Sequence, residues 1–229
     1  MDIAVAHPSQ AGRQGVDFYH RLRPLAETYA RRRPVERIAV VGNQPLAPSR
    51  GRAAAIDSAD LVFRVNGFRL DGDDEPTTGQ RADVIVLNRG VRPTPWFFAG
   101  YPDRLYLMIE PGRMHWENER VPAFWPEDLG FITVPNRDVI IPLNEAIGLD
   151  AENKGVWATT GTTMAWIAAE LFPDSAMTAT GFSFIASPEQ TSWQHAYGEA
   201  SPVGEEHRIA AESALFHHWI TSGRVDYLD

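Results

Sequence analysis

No cysteine occurs in the 229 residues of the chain. That excludes a disulfide framework, a thiol nucleophile and a cysteine-ligated zinc site, and it fits a reducing compartment. No apolar run approaches the roughly 20 residues that span a bilayer. The opening MDIAVAHPSQAGRQ also lacks the basic-then-apolar pattern of a secretion signal. A cytoplasmic protein is therefore expected. Positive charge is scarce, with 21 Lys and Arg against 30 Asp and Glu and a formal net charge of -9. General nucleic-acid binding needs a basic surface, so no nucleic-acid partner is expected. A local exception is Arg21, Arg23 and Arg31 to Arg33. They read either as a solvated helix face or as a weak attraction to an anionic membrane surface, a peripheral contact at the inner membrane. Internal repeats and low-complexity segments are absent.

What is present reads as one α/β domain over 1–229, with 1–35 as an N-terminal helical extension. Apolar residues make up 44% of the chain, enough for a real core. Residues 17–31 read as a helix closed by the basic run and Pro34. Arg37 to Val41, Leu61 to Asn66, Asp83 to Asn88, Arg104 to Glu110, Phe131 to Pro135 and Ala176 to Phe182 read as strands. Gly51 to Ala59, Thr162 to Phe172 and 208–222 read as helices. In the second of these, Met164, Ile167, Ala168 and Leu171 form the stripe of a helix packed on a sheet. Strands alternating with helices imply a Rossmann-like α/β/α sandwich with a mostly parallel central sheet. Residues 90–130, rich in Pro, Gly and Trp, read as long loops over a site. Trp96, Trp116 and Trp125 there suit either sugar stacking or core packing.

In such a sheet ligands sit at the carboxyl ends of the strands, near the switch in strand order. The stretch IAVVGNQPLAPSRG, Ile38 to Gly51, starts like a nucleotide-binding loop but lacks the second and third glycines of a dinucleotide fingerprint. Gly42 permits a positive φ and the close approach of a ligand. Asn43 offers a donor and an acceptor to a base, ribose or phosphate, or else caps a turn. Asn66 before Gly67 is a good turn pair, and alternatively faces the same crevice. Thr159 to Thr163 sets four hydroxyls and a glycine at the start of the best helix. That suits a phosphate, although one Thr would suffice as an N-cap. Histidines follow at 195, 207, 217 and 218, with Glu199, Glu205, Glu206 and Glu212 nearby. Neither His pairs four apart nor an H-E-x-x-H frame occurs, so no metal site is expected. His207 stands just ahead of the last helix, whose dipole disfavours the imidazolium and keeps the ring able to accept a proton.

Taken in order, these segments resemble the sialyltransferase family of glycosyltransferases, the one that includes the animal Golgi enzymes. Its large motif is matched by VVGN (Val40 to Asn43) and IDSADLVFRVN (Ile56 to Asn66). Its small motif is matched by TTGTTMAWIAAELF (Thr159 to Phe172) and TATGFSF (Thr178 to Phe184). The H-aromatic-aromatic-acid tetrad is represented by His195-Ala196-Tyr197-Gly198, with Glu199 one place later than the family's acid. His207 and Glu212 reproduce H-x4-E. The matches cover about a third of the chain and depart from the family in lacking its disulfide and membrane anchor.

The resemblance implies a GT-A-like variant of the sandwich and a CMP-activated sugar acid, sialic acid or Kdo, as donor. The acceptor would be a glycan, such as a polysaccharide or glycolipid under construction at the inner membrane face. It implies that Gly42, Asn43 and Asn66 meet the nucleotide, with Thr160, Gly161 and Thr162 at the nucleotide and its phosphate. His207 would be the base, with Glu212 completing its motif, and His195 would assist departure of CMP. A single phosphate can be stabilised by a helix N-terminus, hydroxyls and a histidine, so neither metal nor other cofactor is expected. Two other readings stay open. One is a nucleotide-sugar-binding relative without turnover. The other is an α/β transferase such as a methyltransferase with its cofactor at Gly42, although Asn66 stands where that reading needs an acid.

Overall fold

The computed structural model describes residues 13–72, 75–111 and 123–229. Residues 1–12 of the expected N-terminal extension, and Trp116, lie outside the described residues. Seven strands form one sheet: β1 (Arg37–Val41), β2 (Leu61–Val65), β3 (Val84–Asn88), β4 (Leu105–Ile109), β5 (Ile132–Thr133), β6 (Ala176–Thr180) and β9 (Val225–Tyr227). Their order is β5-β4-β3-β2-β1-β6-β9, and every pairing is parallel. The chain builds outward from β1 to one edge, then returns to add β6 and β9 on the other side. The switch point is therefore the gap between the carboxyl ends of β1 and β6.

Both faces are covered, which is why the strands read as unbroken apolar runs. Alternate residues divide between the two sides. Ile38, Val40, Phe63, Val84, Val86 and Leu107 pack with α5 (Thr160–Leu171) in the larger core. On the other side Ala39, Val41 and Val62 meet Ile56 of α2 (Arg50–Ser58) and its C-cap Ala59, while Ile85, Leu87, Tyr106 and Met108 meet a layer of aromatic loop residues. Trp125 belongs to that layer: it is buried, packs edge-on against Phe97 and Phe131, and its Nε1–H donates to the Leu129 carbonyl at 2.7 Å. Of the two roles open to it, core packing is the one realised.

The helix α1 (Arg13–Thr28) lies across α5 through Phe18, Tyr19, Leu22 and Ala26. Between these helices Tyr19 Oη, Trp166 Nε1 and Glu170 Oε1 are buried without a hydrogen-bond partner among the described residues. Burial pushes the Glu170 carboxyl up to about 7, the charge of Arg224 opposing the shift. In the basic cluster, Arg31 donates to the Asp57 carbonyl and Arg33 to that of Glu27, so part of it ties the helix to the body. No helix among the described residues is long and apolar enough to cross a membrane.

Most of the segment Ile56 to Asn66 has an architectural task. Asp57 accepts from the amides of Gln80 (2.9 Å) and Arg81 (3.1 Å), and Asp60 from those of Glu36 and Arg37. Arg64, fully buried, donates to the carbonyls of Arg81 (2.7 Å) and Thr78 (2.6 Å). Desolvation lowers its pKa to about 10, offset in part by Asp57 and Asp71. It remains a cation at neutral pH and pins the 77–81 loop beneath the sheet.

Five elements go beyond the sequence reading. They are β9, the antiparallel pair β7 (Ser192–Gln194) and β8 (Ala200–Pro202), and two short helices, α3 (Ile141–Ala146) and α4 (Ala151–Lys154). The last helix, α6 (Ile209–Thr221), lies close to its expected span.

Candidate active site

A cavity of about 410 Å³ opens at the switch point. Gly42 and Asn43 follow β1, Asn66 and Gly67 follow β2, Asn88 ends β3, Gly181 and Phe182 follow β6, and Thr159 to Gly161 open α5; all line it. The loop between β7 and β8 closes one side with His195, Tyr197 and Glu199, and His207 enters from the approach to α6.

Gly42 lines the cavity but does not take the expected positive φ, and its lack of a side chain is required by a second contact. Its amide donates to the Thr180 carbonyl at 2.8 Å, and a methyl there would lie 2.7 Å from the Gly181 carbonyl carbon. The two main chains touch, and Gly181 takes the positive φ, 78°. The next residue, Asn43, spends its amide N–H groups on the carbonyls of Val65 (2.8 Å) and Gly67 (2.6 Å), locking the β2 turn. Its own carbonyl accepts from Ala196 at 2.7 Å, which seats the β7–β8 loop.

Asn66 has φ 50°, a left-handed conformation that Asn tolerates better than most residues. Its Oδ1 accepts from the Asn88 amide at 3.1 Å, and Asn88 Nδ2 donates to Thr160 Oγ1 at 2.9 Å. Asn88 thus couples the ends of β2 and β3 to the helix that could receive an anion. The sequence pattern marks Asn88 only as a strand end, although VIVLN closes its strand as FRVN closes the one before.

Thr162 and Glu212 do not reach the cavity, contrary to the roles expected for them. Both are fully buried. Thr159 caps α5, its Oγ1 accepting from the Thr162 amide. One Glu212 oxygen, Oε2, accepts from the Thr159 amide (3.0 Å), the Thr159 hydroxyl (2.6 Å) and the Thr162 hydroxyl. A single carboxylate with three donors holds the helix start from behind. Desolvation raises the Glu212 pKa, opposed by these donors and by the nearby His207. Glu212 is a positioning residue, and Thr159, Thr160 and Gly161 are the members of the helix start that line the cavity.

His207 Nδ1 lies 3.0 Å from the Trp157 carbonyl, which can only accept, so Nδ1 carries the proton of the neutral ring and Nε2 is its basic nitrogen. The Trp157 amide donates back to the Glu206 carbonyl at 3.0 Å, so the imidazole is held by a two-point strap. Glu206 Oε1 stands 3.5 Å from Nε2. His207 also lines a second cavity of about 530 Å³ with Arg89, Glu110, Trp157 and Glu206; Asn88, Gly90 and Thr160 border both. Arg89 and Glu110 form an ion pair at 2.9 Å there.

His195 stacks on Tyr197 with ring centroids 5.0 Å apart, and its Nε2 is 3.3 Å from Ser201 Oγ. Burial lowers its pKa and the charge of Glu199 works the other way, so the ring is largely neutral at pH 7. Trp96 and Trp125 line neither cavity. His217 and His218 sit on the exposed flank of α6 away from both. Among the described residues no three His, Asp or Glu side chains are grouped to hold a metal ion.

The described geometry is a crevice at the switch point of a parallel α/β sandwich, flanked by a histidine whose Nδ1 is engaged by a backbone carbonyl. The same fold occurs in solved sialyltransferases. A crystal structure of a mammalian sialyltransferase superposes with a TM-score of 0.58 at 14% identity, covering 99% of this chain and 95% of that one. A mammalian sialyltransferase in complex with Gal-β-1-3GalNAc-ortho-nitrophenol gives 0.56 at 14% identity, over 96% and 88% of the two chains. No protein-family model matches the chain, and no curated protein matches it.

Proposed function

We propose that this protein is a glycosyltransferase that moves a CMP-activated acidic sugar, of the sialic acid or Kdo type, to a hydroxyl of a glycan or glycolipid. The observation that carries this reading is His207, whose Nδ1 is engaged by Trp157, leaving Nε2 as the basic nitrogen of a residue that lines both cavities. A fold shared with sialyltransferases supports it.

In this reading the donor fills the first cavity, its phosphate on Thr160, Gly161 and the free N–H groups of α5. The acceptor hydroxyl comes from the second. His207 Nε2 takes the hydroxyl proton as the oxygen bonds to the anomeric carbon, and the bond to the phosphate oxygen breaks with its electron pair leaving on CMP. Attack from the face opposite the leaving group inverts the centre. Glu206 stabilises the imidazolium, and the helix N-terminus and His195 stabilise the departing phosphate, so no step calls for a metal. The reaction would run at the inner membrane face, with the exposed Arg21 and Arg32 favouring an anionic surface.

Transfer assays with CMP-sialic acid and CMP-Kdo on native protein and His207→Ala test the assignment. Turnover should fall about 10²–10⁴-fold while CMP affinity stays within about twofold. Unchanged turnover would remove His207 from the mechanism.

A further inference from the structure

The first cavity must accommodate a dianion if the functional reading holds, since a CMP-linked sugar acid carries a phosphodiester and a carboxylate. The N-terminus of α5 provides for one of these charges. Around the rest of the cavity Arg92 supplies the sole guanidinium or ammonium group among the described residues, against the carboxylates of Glu199 and Glu206. The two histidines there are His195, whose cation is disfavoured by burial, and His207, which has the Trp157 carbonyl on one nitrogen.

The backbone of Arg92 is fixed although its side chain is not. Val91 closes a turn onto the Asn88 carbonyl at 3.1 Å. The Arg92 carbonyl packs so closely on Gly67 that a methyl at Gly67 would lie 2.6 Å from it. The root of the side chain is thus pinned beside the Asn66–Gly67 turn. The side chain, by contrast, is 79% exposed, and among the described residues its guanidinium makes one long contact, 3.4 Å to Glu199 on the β7–β8 loop. An exposed pair at that distance is worth little, so it can be exchanged at small cost. Guanidinium and carboxylate form a bidentate pair, stronger and more directional than a contact to a point charge.

We propose that Arg92 determines donor specificity by reading the carboxylate of the sugar acid, with Glu199 holding the guanidinium at the mouth until the donor displaces it. This rests on the CMP-sugar reading of the same cavity. It explains how a chain with a strongly negative net charge selects an anionic donor over a neutral one: one cation on a fixed backbone, kept in place by a weak, replaceable partner.

Calorimetric titrations of native protein, Arg92→Gln, Arg92→Lys and Glu199→Gln with CMP, CMP-sialic acid and CMP-Kdo, at low and high salt, test this. Arg92→Gln should weaken both CMP-sugars about tenfold and flatten their salt dependence, while CMP changes by less than about twofold. Arg92→Lys should recover part of the loss, and Glu199→Gln should tighten the sugars but not CMP. An equal loss for CMP would assign Arg92 to the phosphate and overturn the proposal, and so would unchanged affinity for all three ligands. Failure of the native protein to bind CMP would instead sink the functional reading, and this proposal with it.

Discussion

The main chains of Gly42 and Gly181 are in contact where β1 and β6 end. A methyl on Gly181 would lie 2.9 Å from the Gly42 carbonyl oxygen, and one on Gly42 would be nearer still to Gly181. The contact sets the floor of the crevice, because Gln44 also donates to the Gly181 carbonyl, at 3.0 Å. Gly42→Ala should therefore destabilise the fold by about 1–3 kcal/mol, since backbone rather than a flexible side chain has to move. Urea denaturation measures this. A cost below about 0.5 kcal/mol would mean that the strand ends part freely.

Glu212 should matter through the loop it holds. Glu212→Ala strands three donors behind α5 and should cost about 2–4 kcal/mol and weaken nucleotide binding. Glu212→Gln keeps an acceptor oxygen of the same reach and should recover much of the stability. A Gln variant as unstable as the Ala variant would contradict a hydrogen-bonding role.

Glu170 makes a pH prediction. Its folded pKa is raised from 4.5 to about 7, so the neutral form is favoured in the folded state. Its contribution is fully present below pH 4.5 and is lost as the pH rises through about 7. The melting temperature of Glu170→Gln, which cannot ionise, should gain on that of the native protein between pH 5 and 8. Parallel curves would show that Glu170 is solvated when charged.

Much of the sheet was legible because strands buried on both faces read as plain apolar runs; RIAVV and the helix after Thr159 stand almost where expected. The crevice shared by Asn43, Asn66 and Thr160 followed from strand ends and a helix start. The β7–β8 pair was not legible: three-residue strands whose ends are exposed carry no apolar pattern, and one cross-contact to Asn43 seats their loop. Nor does spacing show which way a side chain turns. Thr160 and Thr162 are equally hydroxylated, but only the helix phase and the buried carboxylate of Glu212 decide that Thr162 faces inward. Likewise spacing does not show that Gly42, which lines the cavity, also has to pack on Gly181, 139 positions along the chain.

The most direct test of the central claim is calorimetric titration with CMP, with EDTA present and CDP, UDP and S-adenosylhomocysteine as controls. Selective CMP binding that EDTA leaves unchanged, abolished neither by His207→Ala nor by salt alone, is the predicted result. Binding of S-adenosylhomocysteine or a uridine nucleotide in preference to CMP would contradict the account and leave the fold without this function.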